Sequence, residues 1–203
     1  MGGSIGQIFG NSLFKIILGG IITVAVAIAS GILIAKGINA KRDDDYRISR
    51  DIKTQEILNK MGTIQIGGAI PDHLFLDSTG KGVALSDIIE DVLVLCYIDP
   101  GCGACIENLR CMANNMKNTN HYKKVWLVSD ASSSSIEKLQ QQAGSNFNSL
   151  NDDGHRFSSN LNINTTPLTL VVSRELIIEH VFIGGLTNDE CETIAKMVRN
   201  TNN

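Results

Sequence analysis

The sequence predicts an α/β domain with a mixed central sheet flanked by helices, preceded by a single N-terminal transmembrane helix. Three observations lead there. Residues 16–35 read IILGGIITVAVAIASGILIA, twenty residues without a charge. Residues 61–203 alternate short apolar runs with helical patterns that open on capping residues, the signature of strands and helices in layers. Near the end, two apolar runs sit three residues apart, an antiparallel hairpin in an otherwise crossover-connected sheet. A chain of 203 residues with 43% hydrophobic and 19% charged residues and three prolines is neither disordered nor collagen-like. Its net charge of -3 lacks the basic footprint of a nucleic-acid binder.

After a tail at 1–15, the run at 16–35 is long enough, at about 1.5 Å per residue, to cross a hydrocarbon core of about 30 Å. Ala27-Ile28-Ala29 offers a signal-peptidase pattern, but apolar sequence continues through Ile32, Leu33 and Ile34, which favours an uncleaved signal-anchor. Thr23, Ala27, Gly31 and Ala35 form a small-residue stripe that would let two such helices approach, a route to a homodimer, although small residues are common in membrane helices anyway. Lys36, Lys41, Arg42, Arg47 and Arg50 follow the span, a bias that by itself would hold the C-terminal part in the cytoplasm. Residues 36–60 carry mixed charges and read as a solvated helical stalk or linker.

Within 61–203, Ile64–Ile70 and Leu74–Leu76 suit short strands, and 78–82 a turn into Val83–Leu85. Val92–Ile98, VLVLCYI, suits a strand covered on both faces. A helix is expected from Cys102 to Lys117, then a strand over Lys124–Ser129. Ser134-Ser135-Ile136-Glu137 has the capping-box pattern for a helix to Ala143. Leu168–Val172 and Leu176–Ile183 form the hairpin, and Thr187-Asn188-Asp189-Glu190 caps a last helix to Arg199.

The chemistry centres on Pro100-Gly101-Cys102-Gly103-Ala104-Cys105, between a buried strand and a helix. A CxxC pair in the first helical turn can close a disulfide, and the partial positive charge of the helix N-terminus favours a thiolate. Cys102 is then the attacking nucleophile and Cys105 the resolving thiol. A zinc site needs four ligands, and Cys111 and His121 are the nearest further candidates without a second CxxC, so no metal is expected. No cofactor is expected either. Cys111, nine residues after Cys102, lies on the opposite side of the helix and cannot pair with it. Cys111 and Cys191 read as small core residues, and His73, His121, His155 and His180 as surface or loop residues.

Residues 64–190 resemble the TlpA/ResA-like branch of the thioredoxin superfamily, membrane-anchored thiol:disulfide oxidoreductases of bacteria. The resemblance rests on Ile70-Pro71-Asp72-His73-Leu74-Phe75-Leu76-Asp77 followed by Gly80-Lys81 and Val83–Asp87, on VLVLCYI followed by CGAC, and on Asn164-Thr165-Thr166-Pro167-Leu168-Thr169-Leu170-Val171-Val172. It implies a thioredoxin-like fold with a cis Thr166–Pro167 bond beside a redox-active Cys102/Cys105 disulfide. It also implies substrate binding by Gly101, Thr166 and Pro167, cysteine-containing protein substrates such as those of cytochrome c maturation, and a membrane-embedded electron donor. The domain would then stand outside the cytoplasmic membrane, against the charge bias.

Departures from the pattern are specific. Cys96 stands where thioredoxin proper buries an acidic residue, so Cys105 needs another proton route: water, Glu107 or Asp99. Glu107 also suits a solvated helix position, and Cys96 suits either a thiol that tunes the pair or an inert buried one. Gly101 replaces the usual aromatic and Ala104 the usual proline. Asp99 occupies the place of a peroxiredoxin's threonine, which disfavours peroxidase chemistry, and copper carriers use CxxxC spacing. The rival class is a thioredoxin-fold binding module, for metal or for partner docking, without exchange activity.

Overall fold

The computed structural model describes residues 28, 30–38, 40–41, 49–117 and 120–200. The chain divides into two compact units, Met1–Lys53 and Thr54–Asn203. In the first, the described residues are helical. The tail at 1–15 and most of the expected span at 16–35, including Thr23 and Ala27 of the stripe, lie outside the described residues. Among the described residues, no helix is long and apolar enough to cross a membrane.

The second unit opens with helical residues 54–61, α1. Leu58 and Met61 are buried and belong to the core, so the compact unit includes the end of the stretch read as linker. Gly62 closes α1 at φ 70°, its N–H donating to the Leu58 carbonyl at 2.9 Å, a left-handed cap that suits glycine. Next come β1 (Leu74–Asp77), β2 (Gly82–Ala84), α2 (Leu85–Ile88), β3 (Val92–Tyr97), α3 (Gly103–Met116) and β4 (Val125–Ser129). They are followed by α4 (Ser133–Ala143), β5 (Asn148–Asn151), α5 (Arg156–Asn160), β6 (Leu168–Ser173), β7 (Ile178–Ile183) and α6 (Asn188–Asn200).

The strands make one sheet in the order β2-β1-β5-β4-β3-β6-β7. β3, β4 and β5 run parallel through the α3 and α4 crossovers, whereas β6, β7, β1 and β2 pair antiparallel. The sheet is therefore mixed, as the hairpin requires. Alternation along β3 explains its continuous apolar run. Val92, Val94 and Cys96 enter a core with α3, α4 and α6, while Leu93 and Leu95 enter a second core with Phe75, Leu85, Phe157 and the end of α1. Burying these side chains stabilises the fold by roughly 1.5–3 kcal/mol per large aliphatic or aromatic residue.

Four expectations need correction. Ile64–Ile70 is not a strand: Gly68 N–H turns back to the Gln65 carbonyl at 2.9 Å, with Gly67 at φ 83°, and only Ala69 bridges Ile177. The second hairpin strand starts at Ile178, not Leu176, because Leu176 sits in the turn at φ 61°. α4 starts two residues early, with Ser132 at the N-cap and its carbonyl accepting from Ser135 and Ile136, so Glu137 takes no part in a capping box. A run of four serines offers several equivalent starts, and the burial of Ile136, Leu139 and Ala143 sets the register.

The fourth correction concerns the cysteines. Cys111 and Cys191 are joined in a disulfide, with Cα atoms 6.1 Å apart and 80 residues between them in sequence. Helical geometry rightly separates Cys111 from Cys102, but its partner comes from α6, which packs along α3 and meets it across the core. The last helix does begin as its sequence indicates. Thr187 Oγ1 accepts the Glu190 N–H at 3.3 Å and Glu190 Oε2 accepts the Thr187 N–H at 2.7 Å, a reciprocal capping box.

Candidate active site

β3 ends at Tyr97, and the chain reaches α3 through Ile98–Cys102. Asp99 shapes this connection. Its Oδ1 accepts the Gly101 N–H at 2.6 Å and its carbonyl accepts the Cys102 N–H at 3.0 Å. A Cβ on Gly101 would stand 3.1 Å from Asp99 Oδ1, so the absence of the usual aromatic there leaves room for this turn. The turn delivers Cys102 to the N-cap of α3, where its Sγ accepts the Cys105 N–H at 3.2 Å. A sulfur in that position takes up one of the helix's orphan donors at its N-terminal end.

The two thiols differ sharply in access. Cys102 is half-buried, whereas Cys105 is fully buried, and both are free thiols in this structure. Burial, then the neighbouring Cys102 and the charge of Asp99, pushes the Cys105 thiol up to about 12. A half-buried sulfur at a helix end above a sealed protonated one is the asymmetry that attacking and resolving thiols need. Cys96 is also fully buried, and burial pushes it to about 12, with only the Thr169 hydroxyl, 3.8 Å away, acting the other way. It is held as a neutral thiol, which suits the inert reading.

Of the carboxylates expected near the pair, Glu107 is drawn outward. It pairs with Arg110, whose other nitrogen donates to the Gln142 carbonyl at 2.9 Å, and 69% of its side chain is exposed. Asp99 is the carboxylate whose charge reaches Cys105.

Across the sheet, Thr166–Pro167 is cis. It lies beside the cysteine pair because β6 pairs antiparallel with β3, placing Leu168 opposite Tyr97 and Thr169 opposite Cys96. Pro167 is buried and its carbonyl accepts the Gly184 N–H at 2.8 Å, while Thr166 is half-buried. Among the described residues, no internal hydrogen bond occupies the Thr166 main chain, which leaves it available to an incoming strand. The structure thus brings Gly101, Cys102, Cys105, Thr166 and Pro167 to one end of the sheet.

Two functional-looking residues escaped the sequence reading. Asn108, one turn after Cys105, is 2% exposed and bonds the loop after β7 at both ends of its amide: Leu186 N–H to Oδ1 at 2.7 Å, and Nδ2 to the Gly184 carbonyl at 3.0 Å. A polar residue on the buried face of an amphipathic helix was the signal that could have found it. His73, expected at the surface, packs edge-on against Phe75 with ring centroids 4.6 Å apart, near the buried Asp152. Asp152 itself accepts the N–H groups of Phe157 and Ser158. Among the described residues, no group of three His, Cys, Asp or Glu is arranged to hold a metal ion.

This geometry has counterparts among solved structures. The thioredoxin domain of a thiol-disulfide oxidoreductase from Bacteroides vulgatus superposes with a TM-score of 0.55 at 21% identity, covering 67% of this chain and 99% of that one. A thiol:disulfide interchange protein DsbE from Chlorobium tepidum gives 0.55 at 20%, covering 66% and 96%. Peroxidoxin BcpB from Mycobacterium tuberculosis gives 0.53 at 14%, covering 66% and 96%. At such identities the likeness is one of fold, and the fold is thioredoxin-like. No curated protein matches the chain. The AhpC/TSA family profile matches residues 66–181, more than half of the sequence and the whole stretch from the first strand through the cis-proline, and the chain therefore belongs to the AhpC/TSA family.

Proposed function

We propose that this protein is a membrane-anchored thiol:disulfide oxidoreductase of TlpA/ResA-like type that reduces disulfides of exported proteins, with apocytochrome c among the candidate substrates. The observation that carries the reading is the asymmetry of the pair: Cys102 half-exposed at the α3 N-cap, Cys105 sealed beneath it, and a free Thr166 main chain alongside. In the reaction, the Cys102 thiolate attacks one sulfur of a substrate disulfide. That S–S bond breaks, a mixed disulfide forms, and the displaced substrate sulfur takes up a proton. Cys105 then gives up its proton and attacks Cys102 Sγ, which expels the second substrate thiol and leaves a Cys102–Cys105 disulfide. Two electrons have passed to the substrate. A membrane-embedded donor returns them.

Two further observations support the placement of the domain outside the cytoplasmic membrane. Disulfides persist in oxidising compartments, and Cys111–Cys191 is one. Ile28, Ile32, Leu33, Ile34 and Ile38 lie on helix with 51–70% of their surface exposed, which suits a segment covered by lipid. The basic residues after the span oppose this, but large domains translocate largely regardless of flanking charge.

The test is the reduction potential of Cys102/Cys105 in the purified full-length protein, by equilibration in thiol buffers followed by alkylation and mass spectrometry. A reversible two-electron couple at these two residues, at a low potential, is expected. A pair that does not cycle would leave a binding module in its place.

A further inference from the structure

We propose that Asn108 is a positioning residue for substrate: with the Cys111–Cys191 disulfide, it sets the spacing between the cysteine-bearing helix and the cis-proline loop. The inference rests on the exchange reading above and names what keeps its cleft in register.

Burying an amide in an apolar core is unfavourable unless both of its ends are bonded. The neighbouring core positions of α3 hold Leu109 and Met112, so an apolar side chain fits this surface well. Asn108 instead commits both ends of its amide to one loop, accepting from Leu186 N–H and donating to the Gly184 carbonyl. Because one end faces a donor and the other an acceptor, only one orientation of the amide satisfies both. The chain of bonds continues, since the N–H of the same Gly184 donates to the Pro167 carbonyl at 2.8 Å. Two hydrogen bonds through Gly184 therefore run from α3, one turn beyond Cys105, to the residue next to Thr166, and the Leu186 bond braces the same loop.

The disulfide acts on the same junction. Cys111 follows Asn108 by one turn on the same helix face, and its Sγ lies 3.9 Å from the Thr187 carbonyl oxygen at the end of the loop. Cys191, whose N–H donates to that same carbonyl at 3.0 Å, is the first-turn residue of α6 to which Cys111 is bonded. Asn108 fixes the start of the 184–187 loop and the disulfide fixes its end. The Pro167 carbonyl hangs from the held loop, so the loop refines the Thr166-to-Cys102 spacing that the β3–β6 pairing sets.

The experiment compares full-length wild type with Asn108→Asp, using a disulfide-bonded peptide as substrate under steady-state conditions. Aspartate keeps the volume and the acceptor for Leu186 but sets an oxygen against the Gly184 carbonyl. The expected result is a KM raised about tenfold with kcat reduced less than threefold, the pattern of lost binding rather than lost chemistry. Cys111→Ala/Cys191→Ala retains the amide bonds and serves as the second variant, with a KM raised about two- to threefold. Unaltered KM in both variants, or kcat falling with KM fixed, would overturn the proposal. A wild-type protein inactive on the peptide would instead sink the exchange reading beneath it.

Discussion

The Cys111–Cys191 disulfide makes a quantitative demand on stability. It closes a loop of 80 residues, and the chain-entropy relation for a loop of that length gives about 4.5 kcal/mol of destabilisation when the link is cut. Cys191 is fully buried, so alanine is the right replacement, because serine would bury a hydroxyl. Loss of the sulfur adds about 1 kcal/mol of packing, while residual structure in the unfolded chain subtracts from the entropy term, so a total near 3–5 kcal/mol is expected. The thermal midpoint should drop by about 10–15 °C. Urea unfolding of the full-length protein, followed by fluorescence of its single tryptophan, Trp126, and by far-UV circular dichroism, measures the loss directly. A double-mutant cycle sharpens it. Either single alanine cuts the same link, so each should lose nearly as much as the pair, giving a coupling energy of about 2–4 kcal/mol. Additive losses below about 1 kcal/mol each would show that the two sulfurs contribute packing only, and would refute the staple.

Three other outcomes follow from the site. Burial raises Cys96 and Cys105 from 9.0 to about 12; the unfolded chain therefore sheds their protons first as pH rises, and their stabilising contribution, intact below about pH 9, is lost towards pH 12. Each thiol steepens the alkaline fall by up to about 1.4 kcal/mol per pH unit, and Cys96→Ala should remove one share; an unaltered slope in urea titrations at pH 9–11 would contradict the burial argument. A thiol reagent that cannot cross membranes should label Cys102 in intact cells after mild reduction, and labelling only after lysis would place the domain on the other side. Hydrogen peroxide should be consumed no faster with the reduced protein than with a free thiol, and catalytic turnover of peroxide would overturn the choice of disulfide exchange.

Much of the fold was legible because the strong signals are local. The apolar run at 92–98, the helix opening at Cys102, the Thr187–Glu190 box and the hairpin around 173–176 each depend on neighbours within a few residues, and each stands close to where periodicity puts it. What was missed is held from a distance. β5 reads Asn-Ser-Leu-Asn, with Leu150 its one apolar residue, and becomes a strand because β4 and β1 offer it hydrogen bonds on either side. Ile64–Ile70 has the composition of a strand, but two glycines turn it into a loop that still borrows pairing from the start of β7. In the site, the cysteine pair and cis-proline were legible from motif resemblance. Asn108 and the Cys111–Cys191 link were not, because their partners lie more than seventy residues away and appear only once α6 is folded against α3.

The scaffold itself does not choose between peroxide reduction and disulfide exchange, since proteins named for either activity share it. Two positions support the exchange reading proposed above. A peroxidatic cysteine needs a hydroxyl beside it to orient the peroxide. This chain presents Asp99, whose Oδ1 is already bonded to the Gly101 N–H and whose negative charge opposes a peroxide oxygen taking up electrons. A disulfide exchanger needs a second thiol one helical turn inside the first, protonated until a mixed disulfide forms above it. Cys105 meets both conditions. Asp99 then fits the second chemistry as it fails the first: burial does most to keep Cys105 protonated, and the charge that repels a peroxide adds to it. Replacing Asp99 with asparagine should lower the Cys105 pKa, keep the Gly101 cap, and shorten the lifetime of the mixed disulfide in rapid-quench alkylation, whereas an unchanged or longer lifetime would mean that Asp99 serves the proton's departure instead.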